Sequence, residues 1–166
     1  IEYQVASHCI TEGLLEEGLT IVRAARARHD GIRRNPWDEF ECGHHYARAM
    51  SSWGLILALS GFQCDLRAGM LGFAPRVHEQ DFQCFWSVDG AWGSYSQKTH
   101  RAALRVIEGS LKLKRLALSF YAGATNGTLV WGAKKARVTI TPGGEILLPR
   151  PITVRANQIL AITFDV

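Results

Sequence analysis

From residue 3 to about 60 the apolar positions recur at helical spacing. Val5, Cys9 and Ile10 share one face, and Gly13 interrupts it. Leu14, Leu15, Gly18, Leu19, Val22 and Ala25 form the next stripe, with Arg26 and Arg28 lying off it. Asp30-Gly31 predicts the stop of that helix, because glycine supplies the left-handed terminal residue. Asn35-Pro36 then fixes an extended or turn conformation. A third apolar segment runs from Tyr46 through Met50, Trp53, Ile56 and Leu57 to Ser60-Gly61.

From Gly69 onward the period changes. Leu111, Leu113, Leu116, Leu118 and Phe120 mix with Lys112, Lys114 and Ser119 in a mostly two-residue alternation, as in a half-buried strand. Val138 and Ile140 alternate with Thr139 and Thr141. Pro142-Gly143-Gly144 predicts a turn before Glu145 to Leu148, and further short strands are expected at 152–154 and 159–164. The fold class is therefore α+β: a helical segment over residues 1–62, then an antiparallel β segment over 63–166. Three helices leave apolar faces to cover, which suits the end of a helical barrel whose other helices lie elsewhere. Self-association of such a piece is the corresponding expectation.

A chain of 166 residues with 47% hydrophobic and 20% charged content reads as globular, not disordered. It opens on Ile1 within a helical pattern, with no charged leader or cleavage site, so it is expected to be a piece of a longer protein. The apolar run Trp53 to Leu59 falls far short of the ~20 residues a membrane-spanning helix needs. Four scattered cysteines with no CxxC pair favour free buried thiols and a reducing, cytoplasmic setting. The formal charge of +4 gathers at Arg23, Arg26, Arg28, Arg33 and Arg34. No aromatic interleaving accompanies it, so the bland reading of a solvated helix face is preferred to a nucleic-acid surface or an adaptor for acidic partners.

Candidate chemistry concentrates between Arg34 and Arg48. Asp38, Glu39 and Glu41 share this stretch with Trp37, Phe40, His44, His45 and Tyr46. Carboxylates and arginine hydrogen-bond sugar hydroxyls, and aromatic faces pack on sugar C–H surfaces. His44 and His45 with Cys42 raise the question of a metal. Adjacent helical positions point about 100° apart, and no second cluster supplies further ligands, so no metal is expected. No cofactor is expected either. Ser7-His8-Cys9 and Ser51-Ser52 lack nucleophile-elbow glycines. Trp86 reads as core, and Trp92, after the turn pair Asp89-Gly90, as the more exposed of the two.

The stretch Arg34-Asn35-Pro36-Trp37-Asp38-Glu39-Phe40-Glu41-Cys42-Gly43-His44-His45-Tyr46-Ala47-Arg48 resembles the RNPWNExECGxHYxRxMxSW signature of the non-lysosomal glucosylceramidase and β-glucosidase family, glycoside hydrolase family 116. The likeness continues through Leu55 to Phe62. It extends more weakly over Phe73 to Arg76 and Ala91 to Gln97. It implies a retaining exo-glucosidase with an (α/α)6 catalytic barrel acting on a small glycoside or glycolipid. By that resemblance Glu39 and Arg48 hold hydroxyls of the terminal sugar, and Trp37, Asp38, His44 and His45 belong to the site wall. Asp38 stands where the family pattern usually has Asn.

A retaining glycosidase needs a nucleophile and an acid/base carboxyl ~5–5.5 Å apart. In the family both precede this motif, and no segment here matches them. The chain is thus expected to supply binding residues but no catalytic residue, with the rest of the parent catalytic domain as its partner. The alternative is a non-catalytic carbohydrate-binding module using aromatic residues between Phe82 and Tyr95.

Overall fold

The computed structural model describes residues 1–36, 38 and 49–165, and the chain divides into two compact units, Ile1–Gly61 and Phe62–Val166. Helices α1 (Glu2–Thr11), α2 (Leu15–Arg28) and α3 (Gly54–Ser60) form the first, with a 3-10 segment, Ala49–Trp53, running into α3. Nine strands among the described residues form the second.

The buried face of α1 is Tyr3, Ala6 and Ile10, whereas Val5 stays 45% exposed. The stripe expected at Val5, Cys9 and Ile10 is thus rotated. The reason is Gly18 on α2: a Cβ there would lie 2.6 Å from Ile10 Cγ1 and 2.8 Å from the Ala6 carbonyl oxygen. Close approach of two helices selects the small residues Ala6 and Gly18 for the seam, not the larger Val5. Glu2 pairs with Arg28, and the Arg26 guanidinium sits 5.7 Å from the Tyr3 ring centroid, so the two helices run antiparallel. Gly13 (φ 88°) and Gly61 (φ 55°) end α1 and α3 in the left-handed region. Leu55 and Ala58 complete a small core, but Leu14, Trp53 and Leu57 each keep more than half of their surface exposed.

The β unit comprises β1 (Gln63–Asp65), β2 (Met70–Phe73), β3 (Asp81–Val88), β4 (Ala91–Lys98), β5 (Arg101–Leu118), β6 (Asn126–Trp131), β7 (Lys134–Thr139), β8 (Glu145–Arg155) and β9 (Ile159–Phe164). Strand β5 organises it. Its first half pairs with β4 on one side and β9 on the other, and β9 leads through β6 to β7. Its second half pairs with β8 and with β2. The β2–β5 pairing is parallel, a departure from the expected all-antiparallel region.

Inward positions on β5 are Ala102, Leu104 and Val106, then Leu111 and Leu113, then Leu116 and Leu118. Two phase breaks interrupt the two-residue period, and each has a structural cause. Between Leu113 and Arg115 the register with β8 shifts, and the Lys114 and Arg115 N–H groups both donate to the Gly69 carbonyl. At Gly109 (φ 82°) the strand passes from one half to the other. Ser110 N–H donates to Gly90 and Ala156 N–H to Gly109 there. A Cβ on Gly109 would meet the Gly90 carbonyl oxygen at 2.0 Å. Gly109→Ala is therefore expected to destabilise the unit by roughly 1–3 kcal/mol through backbone strain alone, with the clash adding to it. Gly123→Ala, whose Cβ meets nothing within 4 Å, is expected to stay within about 0.5 kcal/mol. Urea unfolding of both variants checks this, and equal stabilities would refute it.

Residues 145–148 and 152–154, expected as separate strands, belong to the single strand β8. Pro149 and Pro151 lack N–H groups and fall where β8 leaves its register with β5, so they interrupt pairing without ending the strand.

Candidate functional site

The stretch that carries the expected chemistry leaves α2 through a tight turn. The Asp30 carboxylate accepts from the N–H groups of Ile32 (2.9 Å) and Arg33 (2.7 Å), while Gly31 N–H donates to the Arg34 carbonyl (3.0 Å). Arg33 also donates to the Ala27 carbonyl at 3.2 Å. These amide bonds, that of Arg33 foremost, hold the Asp30 carboxyl below its ordinary range. With a lowered folded-state pKa, the turn is stabilised above the ordinary carboxylate range and loses that contribution as pH falls through the lowered value. Asp38 is half-buried, and its N–H donates to the Asn35 carbonyl at 3.3 Å. On the far side of the stretch, Ala49–Trp53 is a 3-10 segment. The expected sugar ligands Glu39 and Arg48, and the wall residues Trp37, His44 and His45, lie outside the described residues.

The arginine cluster is dispersed among partners. Arg23 faces Glu16 at 3.7 Å, Arg28 pairs with Glu2, Arg33 with Asp30 at 3.8 Å, and Arg26 covers Tyr3. Exposed pairs of this kind add little stability. They do, however, set a carboxylate beside Arg23, Arg28 and Arg33.

Among the aromatic residues of β3 and β4, Trp86 is 2% exposed, whereas Phe85 is 54% and Trp92 37% exposed. Phe85 and Trp92 stand on the same outward face, with ring centroids 6.0 Å apart and planes 43° from parallel. The Trp92 indole N–H donates to Glu108 at 3.2 Å, which fixes that ring. Behind this face, Tyr95 stacks on Phe73 at 3.9 Å and donates to the buried Gln97, whose amide donates to the Glu79 carbonyl. Inner positions thus hold packing, and the outer pair alone could meet a ligand.

Among the described residues no group of three His, Cys, Asp or Glu could hold a metal ion. Cys9, Cys64 and Cys84 are free thiols, and Cys64, on β1, is exposed instead of buried. Burial pushes the Cys84 thiol up to about 12, so at neutral pH it stays protonated and unreactive. No helix among the described residues is long and apolar enough to cross a membrane.

One group of residues was not legible in the sequence: Trp131, Lys134, Arg150 and Arg155 line a single hollow in the β unit. The Gly132-Ala133 turn and the Pro149-Arg150-Pro151 interruption were the local signals, but nothing in the sequence joined them.

No protein-family model matches the chain, and no curated protein matches it. Among solved structures, it is similar to a GH127 β-L-arabinofuranosidase from Geobacillus stearothermophilus T6, with a TM-score of 0.43 and 16% identity. That likeness covers 86% of this chain and 22% of the other, so the chain spans about a fifth of that enzyme's length.

Proposed function

We propose that this chain is the sugar-gripping part of a retaining glycoside hydrolase acting on a terminal β-linked glucose, of the β-glucosidase or glucosylceramidase type. The observation that carries the reading is the run from Arg34 to Arg48, continued through Phe62, which follows the family 116 signature with a departure at Asp38. In this reading the three helices are part of one wall of an (α/α)6 barrel, and the turn at Asp30 sets where the run departs from α2. Glu39 accepts hydrogen bonds from the sugar's hydroxyls. Arg48 donates to them, its fork of N–H groups reaching more than one oxygen. The nucleophile and the acid/base carboxyl come from segments of the parent protein that this chain does not contain. Glu39 and Glu41 do not suit those two roles, because residues two apart on one strand of chain do not flank a glycosidic bond from opposite sides.

The purified chain is accordingly expected to hydrolyse no aryl β-glucoside at a rate attributable to Glu39 or Glu41. Robust turnover that disappears in Glu41→Gln would defeat the reading. The second reading, a non-catalytic carbohydrate-binding module, is favoured by the outward pair Phe85 and Trp92. Titrating the same chain with a soluble β-glucan separates the two. Binding abolished by Trp92→Ala would select the module, whereas the glycosidase reading expects Trp92→Ala to leave sugar binding unchanged.

A further inference from the structure

The β6–β7 hairpin and the proline-interrupted part of β8 border an open hollow of about 470 Å³. That falls in the ~300–1,000 Å³ range of small-molecule sites. Lys134, Arg150 and Arg155 line it, together with Trp131, Thr153 and Gln158. No carboxylate is among its described lining residues, and none of the three cations has an ion-pair partner among the described residues. Elsewhere in the same unit some cations are matched: Arg115 with Glu145 at 3.1 Å, Lys98 with Asp81 at 3.6 Å, and Arg137 with Asp165. Three cations without an ion-pair partner among the described residues thus line this one hollow, and an anion entering it meets their combined field.

The remaining lining narrows the anion's chemistry. Trp131 is half-buried, packed on the core, and lines the hollow. An indole face suits the C–H surface of a sugar. The Gln158 side-chain oxygen accepts from Arg155 N–H at 3.0 Å. That bond holds the amide in place and leaves its NH2 for a ligand oxygen. Thr153, exposed on β8, offers a hydroxyl. We infer that this hollow binds a sugar carrying an oxyanion ester, a sulfate or phosphate, with the ester on Lys134, Arg150 and Arg155 and the ring against Trp131. This inference is independent of the segment around Glu39 and Arg48.

Calorimetric titration of the full chain tests it, with a heparin disaccharide, glucose 6-phosphate, inorganic sulfate, cellobiose and a short DNA duplex as probes. At least one of the two charged sugars is expected to bind at least tenfold more tightly than inorganic sulfate, with cellobiose not binding, and the better one identifies the ester. The double variant Lys134→Gln/Arg150→Gln is expected to weaken that binding about 10- to 100-fold, the scale of losing charged hydrogen bonds. Trp131→Leu should weaken the charged sugar but leave inorganic sulfate unchanged. Arg67→Gln, at an exposed turn position between β1 and β2, should change neither. Melting temperatures of all variants establish that they are folded. Failure of both charged sugars to bind, equal losses in Arg67→Gln, or tighter binding of the duplex than of either sugar would each overturn the inference.

Discussion

Trp86→Ala is expected to cost the β unit about 3–5 kcal/mol, the range for removing a fully buried large aromatic side chain. Trp86 is 2% exposed on β3, pairs across to Gly93 on β4, and belongs to the main core. Its ring lies over that glycine: a Cβ on Gly93 would fall 3.0 Å from Trp86 Cζ2 and 1.8 Å from the Arg105 carbonyl oxygen. The Gly93 backbone on that side cannot move in to fill the space left by truncation, so the site does not collapse easily. Trp86→Phe should behave differently. The indole N–H is buried with no hydrogen-bond partner among the described residues. Such a group carries a desolvation penalty of about 1–3 kcal/mol, which phenylalanine removes while losing part of the ring volume. The two effects oppose each other, and the net loss is expected to stay below about 1.5 kcal/mol. Urea unfolding of wild type and both variants measures the difference. A phenylalanine variant as unstable as the alanine one would mean that ring volume alone decides and that the N–H carries no penalty.

How far such features could be read in advance depended on how local they are. Glycine stops were legible at Gly13, Gly31 and Gly61, because a positive φ is a property of one residue and its neighbours. The strand through Leu111, Leu113, Leu116 and Leu118 was legible for the same reason. The cause of its slip of one residue after Leu113, the Gly69 carbonyl taking two N–H groups, is a contact across the chain. The first half of β5 was not legible. Ala102 and Ala103 are small, Arg101 and Arg105 are charged, and the burial of Ala102 and Leu104 comes from β4 and β9. The face of α1 was misread because apolar size pointed to Val5, whereas the close approach of Gly18 favoured Ala6.

Arg23, Arg26, Arg28 and Arg33 look like one patch when counted along the chain. In space each meets its own partner: Glu16, Tyr3, Glu2 or Asp30. Lys134, Arg150 and Arg155 look unrelated in sequence and line one hollow in the fold. For the segment proposed to grip the sugar, sequence order carried the reading, and the structure describes what flanks it, the Asp30 turn and the 3-10 segment from Ala49.

The proposal for that segment makes its largest demand on Glu39 and Arg48. Nine positions apart (48 − 39 = 9), they lie on either side of the His44-His45 pair. In the parent enzyme a carboxylate accepting from, and a guanidinium donating to, the same sugar would each contribute roughly 1.5–3 kcal/mol when desolvated. Removing either should lower kcat/KM about 10- to 100-fold or more, since about 1.4 kcal/mol is tenfold. If instead the two merely tie a loop to a helix, their loss would lower stability and affect every substrate alike. The deciding measurement is kcat/KM of Glu39→Gln and Arg48→Lys in the parent enzyme, on aryl β-glucoside and β-galactoside, with melting temperatures alongside. A sugar-gripping role gives unequal losses, larger for the epimer whose hydroxyl the pair holds, at nearly unchanged melting temperature. Equal losses on both sugars that track a fall in melting temperature would contradict it.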